Sequence, residues 1–179
     1  MRTLIDKTID LVFDKAISAF AKAHNDLWDI LRYYSDHLPQ GSITCGMIAE
    51  YYAKLYLDWK FDGATIQFGS ANEKGWDLLL QIDNAEPIKY QVKAISAFNR
   101  YRRTSAIGGD CDRLIVTSLD SNFHPHSAYL IENVHVLSRS ERNRPLVVPD
   151  PLSRRRTGST IFREYGLNIT DEFLEALAI

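Results

Sequence analysis

From Leu4 to about Tyr34 the apolar residues Leu4, Ile5, Ile9, Val12, Phe13, Ala16, Ile17, Phe20, Leu27, Ile30 and Leu31 recur at helical spacing. No Pro or Gly interrupts them, so the segment predicts one long helix or two in succession. Leu38 to Ser42 reads as a break. Ser42 or Thr44 can then cap a second helix, whose apolar face is Met47, Ile48, Tyr51, Tyr52, Leu55 and Tyr56 and which runs to about Trp59 with Glu50 inside it. Past Asp62-Gly63 the period changes. Short β-type runs occupy residues 64–68, 76–82 and 88–95, separated by the turn-forming stretches 69–72 and 83–87. Residues 96–106 are polar, Arg-rich and expected to be helical, with Gly108-Gly109 ending them. Residues 113–119 have the unbroken apolar character of a buried central strand, a further strand is expected over 128–137, and residues 138–159 read as loop before a C-terminal helix from about Thr170.

The order helix, three strands, helix, strand, strand describes an α/β fold with a mixed central sheet flanked by helices. At 179 residues and 45% hydrophobic content the chain suffices for one core. It reads as a single domain with an added N-terminal helical segment (1–38), a core (42–137), and an Arg-rich loop with a C-terminal helix (138–179).

The hairpin over 76–95 concentrates the chemistry. Strand alternation puts Asp77, Leu79 and Gln81 on one face of its first strand, and Lys89, Gln91, Lys93 and Ile95 on one face of its second. A turn centred on Asn84 sets Asp77 opposite Gln91, and one centred on Ala85 sets it opposite Lys93. Either odd-length loop gathers carboxylate, amide and ammonium on one face, whereas an even-length loop separates Asp77 from the other two. A carboxylate, an amide oxygen and a backbone carbonyl suit a hard divalent ion such as Mg2+. A lysine beside that ion can hold the attacking water and offset phosphate charge. Alternatively, the same residues could line the solvent side of a half-exposed hairpin, with Glu50 paired to Lys54 one helical turn on.

Three elements carry a resemblance: Gly46-Met-Ile-Ala-Glu50 in the second helix, Gly75-Trp-Asp77 at the second strand and Gln91-Val-Lys93 in the third. Over about residues 44–137 the chain resembles the PD-(D/E)xK nuclease superfamily, in the variant whose last element is QxK, similar to restriction endonucleases of the Mrr-like kind. The resemblance implies a restriction-endonuclease-like core and Mg2+-dependent endonuclease activity on DNA, with Mn2+ able to substitute. It implies that Asp77 binds the metal, that Gln91 stands where most members have a metal-binding acid, that Lys93 orients the water, and that Glu50 supports the metal or its waters. Trp76 occupies the place of the eponymous proline, and the neutral Gln91 leaves only Asp77 and Glu50 to balance the metal charge.

Charge adds a footprint. Net charge is only -2, yet residues 94–163 carry 11 Lys/Arg, all arginines, against 6 Asp/Glu. Arg100, Arg102, Arg103, Arg154, Arg155 and Arg156 are expected to hold a DNA backbone, with further contacts from Ser70, Asn72 and Lys74. The glycines of 69–75 lack P-loop spacing, and His124-Pro-His126 reads as an exposed loop. Two cysteines, Cys45 and Cys111, give no disulfide framework, and no run approaches the roughly 20 apolar residues of a membrane span. These features point to a cytoplasmic protein with no membrane contact, and a domain that cuts both strands is expected to work as a homodimer, through its N-terminal helices. Two other readings stand beside the enzyme: a non-catalytic DNA-binding or assembly module on the same fold, and an RNA-processing nuclease.

Overall fold

The computed structural model describes residues 4–33, 44–70, 75–99, 101–150 and 158–177, with side chains of the first helix described from Lys15 onward. Contacts divide the chain into two units, Met1–Leu38 and Pro39–Ile179. The described residues of the first unit form one helix, α1 (Leu4–Tyr33), which leaves Ile17, Phe20, Ile30 and Tyr33 exposed.

The second unit begins at α2 (Cys45–Lys60), which Thr44 caps by accepting the Met47 N–H at 3.2 Å in its extended conformation. That bond satisfies one of the donors a helix leaves unpaired at its start. Thr44→Ala is therefore expected to cost about 1 kcal/mol in chemical denaturation; an unchanged midpoint would show that the cap adds nothing.

A six-stranded sheet follows: β1 (Thr65–Phe68), β2 (Leu78–Gln81), β3 (Ile88–Ser96), β4 (Arg113–Leu119), β5 (Pro125–Ile131) and β6 (Gly166–Asn168), in that spatial order. Only β3 and β4 run parallel; every other pair is antiparallel. The fold is mixed α/β, a mixed six-stranded sheet flanked by helices. Alternation along β4 explains why it reads as one apolar run. Ile115 faces a core with Ala49, Ala53, Tyr56 and Leu57 of α2 and Phe173 of the C-terminal helix α5 (Thr170–Leu177), while Leu114 and Val116 face Val134, Leu137, Leu146, Val148, Ile161 and Phe162 on the other side. Tyr56 stacks on Phe173 with ring centroids 5.1 Å apart, joining α2 to α5.

Three expectations change. Residues 96–106 form no helix among those described: Asn99 Oδ1 accepts both the Ser96 N–H and the Ser96 hydroxyl. Beyond that turn the backbone runs extended beside 146–148, with Thr104 N–H donating to Leu146 O, Val148 N–H to Arg102 O, and an Arg103–Val147 bridge. A distant backbone partner outcompetes local helix formation. The strand expected over 128–137 lies at 125–131 and gives way to a 3-10 turn, Val134–Val136, capped by Asn133. The expected loop over 138–159 contains the one-turn helix α3 (Arg139–Arg142), closed by a capping box between Ser138 and Glu141, and α4 (Thr160–Glu164) and β6 follow it.

Candidate functional site

The hairpin pairs Leu78 with Tyr90, Leu79 with Lys89 and Leu80 with Ile88, a register centred on Asn84. Of the two odd-length alternatives this is the one that sets Asp77 opposite Gln91. The ladder then opens. Asp77 N–H still donates to Tyr90 O at 2.8 Å, and Asp77 O accepts from Gly69 N–H at 2.8 Å. Two residues farther along β3 it is the Asp77 carboxylate that takes over, Oδ2 accepting the Val92 N–H at 2.6 Å. The N–H and C=O of one strand residue point to the same edge, so the Val92 carbonyl also faces the gap where β2 has left β3.

Gln91 is buried, and its amide is engaged on both sides: Nε2 donates to Gly75 O at 3.3 Å and Gly108 O at 3.2 Å, while Oε1 accepts Gly108 N–H at 3.0 Å. It clamps the loop leading into Asp77 to the loop leading into β4. An amide oxygen has two lone pairs, so a metal-ligand role is left the second one. Gly75 makes the clamp possible. Its φ is +124°, and a Cβ there would sit 2.5 Å from Asp110 N.

Glu50 reaches the same place from α2. Its carboxyl is pushed up to about 7, first by burial and then by the negative charge of Asp77, with Lys93 acting against both. Burial also raises Asp77, opposed by the Val92 N–H bond and by Lys93. Two half-buried acids from different elements thus repel each other beside one half-buried ammonium. Lys93, from the middle of β3, makes no hydrogen bond among the described residues and acts on both acids through its charge. The neighbouring Cys111 thiol is buried and pushed up to about 11, chiefly by burial, which makes it inert, while Cys45 is half-buried.

This arrangement has a consequence for stability. Glu50 titrates near 7 in the folded chain and near 4.5 when unfolded. The stability its protonated form supplies is complete below pH 4.5 and is lost as pH rises through 7. The loss is on the order of 3 kcal/mol, since a tenfold change in proton affinity is about 1.4 kcal/mol. Glu50→Gln is therefore expected to raise the melting temperature of the metal-free protein at about pH 8 by several degrees, and to leave it unchanged at about pH 4. Equal melting temperatures at both pH values would contradict the burial of an uncompensated carboxylate.

Among the described residues, no three His, Cys, Asp or Glu side chains gather closely enough to cage a metal. A divalent ion that keeps several waters does not need such a cage. The donors here fit it: two carboxylates whose charge lacks a full counterpart, and the Val92 carbonyl facing the same gap.

The expected DNA contacts fare unevenly. Ser70 is exposed after β1, and Arg103 is exposed with its guanidinium 5.8 Å from the Tyr101 ring centroid. Arg102 turns inward instead, Nη2 donating to Ser118 Oγ at 3.0 Å and Pro149 O at 2.9 Å, so its guanidinium anchors the 101–103 segment to the sheet. Asn72, Lys74, Arg100, Arg154, Arg155 and Arg156 lie outside the described residues. His124 is exposed, but Pro125 and His126, also read as exposed loop, open β5, with Pro125 buried and His126 half-buried where that strand pairs with β4. Sequence reasoning missed two sets of groups. The loop carbonyls that hold Gln91 come from Gly75 and Gly108, and the Gly75-Trp-Asp77 and Gly108-Gly109 pairs were the available signal. The other set is Phe98, Tyr101 and Phe123, of which Phe98 and Tyr101 alternate with arginines over 98–103. No known protein family matches the chain, and no characterised protein is similar to it in sequence.

Proposed function

We propose that the protein is a metal-dependent endonuclease that hydrolyses DNA phosphodiester bonds at Glu50, Asp77 and Lys93. The observation that supports this reading is the meeting of two half-buried, mutually repelling carboxylates with one lysine at the point where β2 separates from β3. Burying like charges together is costly, and a divalent cation removes that cost. Asp77, Glu50 and the Val92 carbonyl would hold Mg2+ or Mn2+. Such an ion, when bound, lowers the pKa of a coordinated water and stabilises the departing oxygen.

The chain's own residues do the rest. Lys93 orients the attacking water and offsets the phosphate charge. Asp77 is kept at the gap by its bond to the Val92 N–H, and Gln91 fixes the loop from which Asp77 emerges. Glu50, near neutrality in the metal-free protein, gives up its proton when a cation enters, and so couples metal affinity to pH. Arg103 and Ser70 supply exposed donors for the phosphate backbone. Cutting both strands with one site per chain calls for two chains, and the exposed apolar residues of α1 support a homodimer.

A non-catalytic DNA-binding module on the same fold draws support from one observation, the commitment of the neutral Gln91 amide to Gly75 and Gly108. The two readings separate when purified protein meets supercoiled and linear duplex DNA with Mg2+, Mn2+ or EDTA, with RNA as competitor. Cleavage that requires the metal supports the endonuclease. DNA that is bound in a salt-sensitive way yet stays intact under every divalent ion supports the module.

A further inference from the structure

Two turns leave the sheet side by side above Ser96 and Leu119, which are paired across β3 and β4. Both are tied off by their own side chains. Asn99 Oδ1 takes the Ser96 N–H at 2.7 Å, and Asp120 Oδ1 takes the N–H groups of Asn122 and His124 at 2.8 and 2.9 Å. The second turn holds Phe123 at φ 62°, a conformation a bulky residue adopts only when its surroundings impose it. The result is that Phe123 and Phe98 meet, ring centroids 5.9 Å apart and tilted by 46°, while Phe98 remains 69% exposed. Three residues on, Tyr101 is 62% exposed beneath the Arg103 guanidinium. Neither ring supports the core.

The neighbours of these rings decide what they suit. Their neighbours along the two turns are Ala97, Asn99, Arg103, Asp120, Ser121, Asn122 and His124, polar groups with one methyl and one carboxylate among them, the carboxylate already held by its own turn. They offer no aliphatic surface for a protein-like dry contact. Flat rings interleaved with guanidinium match an unpaired nucleic-acid strand, whose bases offer π-faces and whose backbone offers phosphates. The segment also lies in the basic stretch 94–163. Along β3 the turn begins about 10 Å beyond Lys93, three residues at strand rise, so a strand whose phosphate reaches Lys93 passes the rings within a few nucleotides.

We propose that Phe98, Phe123 and Tyr101, with Arg103, form a stacking platform for unpaired bases of a DNA strand next to the candidate active site. The proposal rests on the nuclease reading for its biological sense but not for its test. Binding of a labelled oligothymidylate and of a blunt duplex of equal length is measured by fluorescence anisotropy in EDTA, where no metal-dependent cleavage occurs. The full chain is expected to bind the single strand more tightly than the duplex. Phe98→Ala is expected to weaken single-strand binding by roughly 5- to 150-fold, the range for one lost base stack, with duplex binding unchanged and the melting temperature intact. Phe98→Trp is expected to restore it. Wild-type affinity of Phe98→Ala for the single strand, equal losses on both probes, or a protein that ignores the single strand would each overturn the platform. A chain that stacks but never cuts keeps the platform and removes the nuclease; one that cuts duplex DNA and is indifferent to Phe98→Ala does the reverse.

Discussion

Lys93→Ala is expected to lower the rate of metal-dependent DNA cleavage by about 100- to 10,000-fold, the span associated with losing a positioned proton-handling or charge-stabilising group. DNA affinity should change far less, because the proposed backbone donors Arg103 and Ser70 do not depend on Lys93. The substitution also alters the acids. Lys93 is the group that draws the Glu50 carboxyl down against burial and Asp77, so without it Glu50 holds its proton to a higher pH. Residual cleavage by Lys93→Ala should therefore rise with pH over a range where the wild type has levelled off. Comparison of pH–rate profiles at subsaturating Mn2+, where Glu50 protonation still competes with the metal, checks both points, and a variant that cuts at the wild-type rate would remove Lys93 from the chemistry.

Gly75→Ala is expected to destabilise the protein by about 3 kcal/mol or more, among the largest effects open to a single added methyl. Two costs combine there. The φ of +124° is closed to an L side chain, and the new Cβ would lie 2.5 Å from Asp110 N and 2.7 Å from Gly109 Cα, backbone atoms that cannot swing aside. Relief requires the 75 and 108–110 loops to part, which breaks the clamp Gln91 makes between them and moves Asp77, so cleavage should fall with stability. Gly63→Ala separates the costs, since Gly63 has φ +79° but open space where the Cβ would go; it is expected to cost only about 1 kcal/mol. Equal midpoints for the two variants in urea would show that close loop approach at Gly75 contributes nothing.

The parts of the site that lie on regular elements were legible in the sequence. Alternation alone confined Asp77, Gln91 and Lys93 to one face for any odd-length loop. The helical period of Met47, Ile48, Tyr51, Tyr52, Leu55 and Tyr56 put Glu50 inside a helix, although the face that helix buries is Met47, Ala49, Ala53, Tyr56 and Leu57, with Tyr51 exposed. What alternation left open was the register, because Asn84 and Ala85 are equally serviceable turn centres; the pairing of Leu78 with Tyr90 selects Asn84. The parts that depend on distant backbone were not legible. Residues 96–106 carry a polar, helix-compatible composition, and their extended course follows from hydrogen bonds to 146–148, about forty residues away. In the same way, Gln91 reads as a ligand because alternation sets its amide on one face with Asp77 and Lys93 and the resemblance puts it in an acid's place, while its amide answers to Gly75 and Gly108 in two separate loops. The edge strand β6 is three residues long, and its single large apolar side chain, Leu167, is exposed, so neither period nor burial announces it.

If Glu50 and Asp77 form one divalent-cation site, the melting temperature at about pH 8 must depend on Mn2+ concentration. A ligand that binds only the folded chain stabilises it by about 1.4 kcal/mol at roughly tenfold excess over its dissociation constant. The melting temperature is expected to climb by several degrees in the wild type and to stay flat in Asp77→Asn, with EDTA reversing the rise. A wild type indifferent to Mn2+, or an Asp77→Asn protein that climbs equally, would contradict the shared site.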